Sequence, residues 1–248
     1  MIESETSESP PVCKTTWLDL PIYILGGFGL FLVASVGMGL FVRRMSIWVA
    51  LAAYLLNVVF IGGSAWMWGV RRRRTSWREM GFWPVRWQWK WVPIAVAVSV
   101  VFLPLRGLLG LLVQWLLEGG LQSLQNRAEV LGAGGEFSLS GFAITLIGAG
   151  VLVPIAEELY FRGLIHRWFE PRLAFWPRVL LSALIFGLAH FDSVGVVASS
   201  YVMGVVNAVA YEKSKSLWLP ILIHISTNSI AIILMYLIMA LEPLLPAM

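Results

Sequence analysis

The chain has 248 residues, 58% of them hydrophobic and only 13% charged, with a mean hydropathy of +0.79. Soluble domains carry about twice that charged share, so the composition excludes a globular water-soluble fold and points to a helical membrane protein. The formal net charge is +4, and the one cysteine, Cys13, can form neither an internal disulfide nor a thiolate metal site.

Residues 1–19 are a polar tail that opens "MIESETSESPPVCKTTW". It is acidic and rich in Ser and Pro, unlike the basic start of a secretory leader. The first apolar segment is therefore expected to remain in the mature protein. Apolar segments then follow at 21–42, 47–70, 91–117, 141–165, 178–191, 195–211 and 217–240. The long ones suffice to cross a bilayer as helices. The fifth is short and is expected to reach back through Trp176 or to lie tilted. These segments predict an all-α, polytopic membrane helix bundle of about seven transmembrane helices. It forms one domain over 20–248, without a visible repeat.

Between the second and third segments lies "RRRRTSWREMGFWPVRWQWKW", residues 71–91. Tryptophan and positive charge both suit the headgroup layer. The segment is expected to lie on the membrane surface as an interfacial amphipathic segment, in part helical. The lipid bilayer accounts for this charge, so no nucleic-acid partner is implied.

With seven helices and the N-terminus inside, thirteen of the 18 Lys and Arg residues fall on the inner side. Three, Arg43, Arg44 and Arg127, fall outside, and Arg106 and Arg162 lie within segments. This bias sets the expected orientation. Small residues four apart let helices approach closely in lipid. Ala183 with Gly187, and Ser200 with Gly204 and Ala208, are expected to form such seams. Asn57, Gln114 and Asn207, alone in apolar runs, are expected to make interhelical hydrogen bonds.

Ionisable side chains inside a membrane are costly and usually face a protein interior or a wet cavity. Glu157, Glu158, Arg162, His190 and His224 are therefore candidates for function. Glu158 and Arg162 stand four apart with the acid first, the favourable order for an ion pair on one helix face. Glu157 points about 100° away from Glu158 and has no partner on its own helix. At 1.5 Å per residue from the nearest inner charge, Glu157, His190 and His224 lie about 15, 18 and 13–14 Å deep. Three polar groups on three helices at one depth suggest a shared cavity. Asn228 follows His224 by four residues and shares its face. His166, beside Arg167 at a segment end, is expected to be an interfacial bystander.

A carboxylate, two imidazoles and an amide around one point suggest activated water. In one version a divalent metal such as Zn²⁺ is held by Glu157, His190 and His224 and acidifies its bound water. In the other no metal takes part. Glu157 with His190 takes the proton of water, while His224 and Asn228 hold the oxyanion. The zinc-protease sequence "HExxH" is absent. Ser182 and Ser226 lie near these residues, but no "GxSxG" supports a serine nucleophile.

These residues fall into three motifs. "EELYFR" (Glu157 to Arg162) resembles the EExxxR motif of the CPBP family, the CAAX-protease and bacteriocin-processing (Abi) intramembrane proteases. "FGLAH" (Phe186 to His190) resembles its FxxxH motif, and "HISTN" (His224 to Asn228) its HxxxN motif. The resemblance covers about residues 141–240. It implies endopeptidase action on membrane-associated or lipidated peptides or proteins entering from the membrane or cytosol. Glu157 would activate water with His190 as its partner, His224 and Asn228 would complete the site, and Glu158 and Arg162 would support it. Members are described both as metal-free glutamate proteases and as metalloproteases, which leaves the cofactor open between none and Zn²⁺. The resemblance also implies a bacterial cytoplasmic membrane as the location. The runner-up is a non-enzymatic membrane partner such as an immunity or scaffold protein. A proton or ion carrier ranks last, because no inverted repeat stands out.

Overall fold

The computed structural model describes residues 15–42, 44, 46–82, 88–120 and 137–241. Every regular element among them is helical. Seven apolar helices follow in order: α1 (Asp19–Phe41), α2 (Ile47–Val70), α3 (Trp91–Glu118), α4 (Leu139–Phe169), α5 (Phe175–Leu188), α6 (Val194–Ser214) and α7 (Trp218–Leu241). Six are long and apolar enough to cross a membrane, and α5 is the shorter seventh. The polytopic bundle expected from the sequence is borne out, and α5 does begin before Trp176.

Small residues set the spacing of the helices. A Cβ added to Gly204 on α6 would lie 2.9 Å from Cα of Ala183 on α5. One added to Gly187 would lie 3.0 Å from the carbonyl oxygen of Val197. The α5–α6 seam is thus where the sequence placed it. A second seam, between α3 and α6, was not anticipated: a Cβ on Gly195 would meet the carbonyl oxygen of Gly110 at 2.4 Å. The lone polar residues tie helices together as expected. The Gly195 amide donates to Oε1 of Gln114 at 3.0 Å, and Asn207 on α6 donates to Glu158 on α4 at 2.8 Å.

The loop and tail groups at one end of the bundle are knitted together. Arg74 pairs with Asp19 at 3.2 Å, and the Trp168 indole donates to the carbonyl of Thr16 at 2.8 Å. Arg178 and Lys215 both pair with Glu212. The Leu217 amide donates to the carbonyl of Gly81 at 3.3 Å. Basic residues expected on one side of the membrane therefore do share one end of the bundle.

The interfacial segment expected at 71–91 is described at 71–82 and 88–91. Residues 71–82 are a run of turns, not a helix, and fold back on the bundle. Met80 is fully buried, and the Phe82 ring stacks on Trp218 with centroids 5.2 Å apart. Gly81 adopts a left-handed φ of +70°, and a Cβ there would meet the carbonyl oxygen of Lys215 at 2.5 Å. This close backbone contact and the Asp19–Arg74 pair fix the segment as a packed strap. Residues 83–87 lie outside the described residues, as do Cys13, Lys14, Arg43, Arg86 and Arg127.

Candidate active site

Helix α4 carries the paired glutamates and is not regular. A π-helical stretch, Gly148–Leu152, precedes the α-helical Val153–Tyr160, and a second, Phe161–His166, follows. The first stretch leads into Pro154, whose missing N–H interrupts the i→i−4 ladder. Inserted π turns rotate the side chains that follow, and they gather at functional positions. The segment between them presents Glu157 to a cavity and Glu158 to the packed interior.

Glu158 is fully buried and Arg162 nearly so, and they form the expected ion pair at 3.1 Å. Arg162 also donates to the Gly204 carbonyl at 2.9 Å, and its guanidinium lies 4.5 Å from the Phe186 ring centroid. Oε1 of Glu158 takes two further hydrogen bonds, from Asn207 and from Nδ1 of His224, each at 2.8 Å. The bond to His224 was not foreseen. Arg162 had already accounted for the charge of Glu158, so its reach to α7 left no trace in the sequence pattern.

Glu157 is turned the other way. Its Oε2 lies 3.8 Å from Nε2 of His190 and 3.8 Å from Nε2 of His224, on different helices. These separations exceed a direct hydrogen bond. Both rings are braced at the opposite nitrogen. Nδ1 of His190 meets the Phe186 carbonyl at 2.8 Å, and Nδ1 of His224 meets Glu158. A carbonyl and a carboxylate only accept, so each Nδ1 carries the proton, and Nε2 of the neutral ring is an acceptor. Two imidazole lone pairs and a carboxylate then face one point, and a water molecule can supply the donors that such a point needs.

This point lies on the wall of a cavity of about 720 Å³ lined by Glu157, His190, His224 and Asn228 together with mostly apolar side chains. The amide of Asn228 donates one hydrogen bond to the carbonyl of Ala149 at 3.1 Å and retains a second N–H. The shared depth inferred for the three polar groups is thus matched by their contact. Asn57, expected only to tie helices together, donates to Oε1 of Glu157 at 3.4 Å and lines the same cavity.

His166 requires a correction. It is fully buried, with Nδ1 2.8 Å from the Ser182 hydroxyl and Nε2 2.9 Å from Oε1 of Glu212. It is no interfacial bystander but a pin between α4, α5 and α6. Ser182 belongs to this cluster and not to the cavity. The partners stand 16 and 46 residues further on, and Glu212, next to Lys213, looks like an ordinary helix-end charge.

Among the described residues no group of three His, Cys, Asp or Glu side chains is spaced to hold a metal ion. Glu157, His190 and His224, the set the metal version requires, are not so spaced in this structure.

Residues 139–230 match the family described as Type II CAAX prenyl endopeptidase Rce1-like. That segment is of the CPBP family. All seven defining residues of the three motifs lie in this segment, whereas Asn57 lies before it. Over 100 residues the chain is 31% identical to the "Putative membrane peptidase YdiL" of Bacillus subtilis (strain 168), covering 40% of this chain and 38% of that protein. Over another alignment of 100 residues it is 28% identical to an uncharacterized 24.3 kDa protein of Escherichia coli, covering 39% of this chain and 46% of that protein. The chain thus spans less than half the length of the curated relatives it matches. No solved structure matches it.

Proposed function

We propose that the protein is an intramembrane endopeptidase that hydrolyses peptide bonds in membrane-associated or lipidated peptides or proteins by metal-free activation of water. One observation carries the reading: Nε2 of His190 and Nε2 of His224 stand 3.8 Å from the same oxygen of Glu157, at the wall of an apolar cavity. The CPBP segment and the name of the Bacillus relative support the reaction class.

A water held between Glu157 and His190 gives one proton to the Glu157 carboxylate as its oxygen attacks the peptide carbonyl carbon. The carbonyl oxygen becomes an oxyanion. The second N–H of the Asn228 amide and Nε2 of His224 are placed to donate to it, and His224 must then carry a proton at Nε2 as well as at Nδ1. Glu157 returns its proton to the leaving nitrogen as the C–N bond breaks, giving a carboxylic acid and an amine, and the acid then passes its proton to the amine to leave a carboxylate and an ammonium. The mostly apolar lining of the cavity lowers the local dielectric and strengthens each of these polar contacts. The N-terminus and the basic end face the cytoplasm of a bacterial inner membrane.

The test is a comparison of peptide termini across membrane and secreted proteomes in three strains: wild type, deletion, and deletion complemented with Glu157→Gln. Termini that appear only with the wild-type gene support the reading and name the substrate. Full restoration by the Glu157→Gln gene overturns it and leaves the scaffold or immunity role in its place.

A further inference from the structure

Asn57 stands where α2 changes its winding. The helix is α-helical over Ile47–Asn57 and π-helical over Val58–Gly62. Within the π-helical stretch α2 comes against α4. A Cβ added to Gly62 would lie 2.9 Å from Cβ of Ala156, the residue before Glu157. The two helices therefore touch closely beside the proposed base, and Nδ2 of Asn57 donates to Oε1 of Glu157 at 3.4 Å. The other end of the same amide, Oδ1, is buried without a hydrogen bond, and the residue lines the cavity. The Asn57 amide thus pairs only with Glu157.

We infer that Asn57 is a positioning residue of the site. Its amide N–H holds Oε1 of Glu157, so that Oε2 is the oxygen turned to Nε2 of His190 and Nε2 of His224. The purpose of this arrangement rests on the peptidase reading, but the arrangement itself is tested without it. Asn57 lies outside the CPBP segment, so α2 contributes to a site whose other named groups all come from that segment.

The probe is dicyclohexylcarbodiimide, an apolar reagent that modifies carboxyl groups in their protonated form. The full chain is purified in lipid nanodiscs and treated at fixed pH. Peptide mass spectrometry then gives the rates at Glu157 and Glu158 separately. A hydrogen bond to the ionised carboxylate protects it, so Asn57→Leu and Asn57→Asp, which both lack the N–H donor, should label Glu157 about three- to tenfold faster than wild type. Glu158, held by Arg162, His224 and Asn207, is the internal control and should stay at its wild-type rate.

Wild-type labelling of Glu157 in both variants overturns the inference. So does an equal rise at both glutamates, which would make Asn57 a packing residue. The peptidase reading fails separately. If Glu157→Gln leaves cleavage intact while the labelling result holds, the Asn57–Glu157 pairing stands and the reaction assigned to it does not.

Discussion

Nδ1 of His224 meets Oε1 of Glu158 at 2.8 Å. Adjacent glutamates on α4 thus address the same imidazole from its two sides, one as a brace and the other across the cavity wall. Oε1 of Glu158 also carries the ion pair to Arg162, while its Oε2 is buried without a hydrogen bond. Three donors on one oxygen couple α4, α6 and α7 directly behind the site.

This predicts opposite outcomes for two neighbouring substitutions. Glu158→Gln leaves a guanidinium that is 1% exposed without its counterion. The loss of one member of a buried pair costs about 3–5 kcal/mol. The unfolding temperature in detergent should drop sharply, and cleavage should fall because a neutral amide replaces the carboxylate that braces His224. Glu157→Gln breaks no ion pair with an arginine or lysine, so stability should stay close to wild type while cleavage is lost. Equal stability of both variants would refute the division of roles.

The metal-free reading predicts that cleavage persists after treatment with 1,10-phenanthroline or EDTA followed by removal of the chelator. Loss of activity, with recovery on adding Zn²⁺, would instead make Nε2 of His190, Nε2 of His224 and Oε2 of Glu157 ligands in a rearranged site. Activity and bound-metal content measured on one preparation decide between the two.

The parts of the site legible in the sequence were those that lipid makes expensive. Charge at membrane depth singles out Glu157, Glu158, Arg162, His190 and His224 regardless of neighbours, and helical spacing pairs Glu158 with Arg162. The α5–α6 seam was legible because small residues four apart have few other uses in lipid. Contacts between distant helices were not legible. Asn57 stands 100 residues before Glu157, and nothing in its local pattern distinguishes a functional amide from a packing one. His166 was misread because a histidine beside an arginine at a helix end resembles a headgroup anchor. Its burial depends on α5 and α6 folding over it. The packing of the segment after α2 was illegible for a similar reason, since its tryptophans and arginines suit either a surface helix or a packed strap.

Close helix approach predicts a graded response to added methyl groups. Gly195→Ala places a Cβ 2.4 Å from the Gly110 carbonyl oxygen, and Gly204→Ala places one 2.9 Å from Cα of Ala183. Both contacts are with backbone and cannot relax by a rotamer change, so each should cost about 1–3 kcal/mol. Gly37→Ala meets nothing within 4 Å and should be neutral or slightly stabilising. Unfolding temperatures measured in one detergent test the order.

Orientation is open to direct measurement. With the basic end inside, single cysteines in a Cys13→Ser background at positions 15 and 213 should resist a membrane-impermeant maleimide in intact cells. They should react once the cells are opened. A cysteine at position 44, at the opposite end, should react in intact cells. The reverse pattern would invert the topology and bring the basic end to the outside, against the charge bias.

The cluster around His166 gives a prediction that separates folding from chemistry. Ser182, His166 and Glu212 form a hydrogen-bonded row that could pass for a hydrolase triad. All three side chains are buried, and none lines the cavity. Ser182 is therefore not open to the cavity that holds Glu157. The row instead ties three helices, and Glu212 extends it to Arg178 and Lys215 at the basic end of the bundle. His166→Leu removes two buried hydrogen bonds, worth about 0.5–1.5 kcal/mol each, while Ser182 keeps its bond to the Val179 carbonyl and Glu212 its pairs with Arg178 and Lys215. Stability should fall by that order while the rate per folded molecule stays near that of wild type. Ser182→Ala should be milder, because Glu212 keeps its bonds to His166, Arg178 and Lys215. If Ser182→Ala abolished cleavage in a folded protein, this cluster would be the active centre and the site around Glu157 would not.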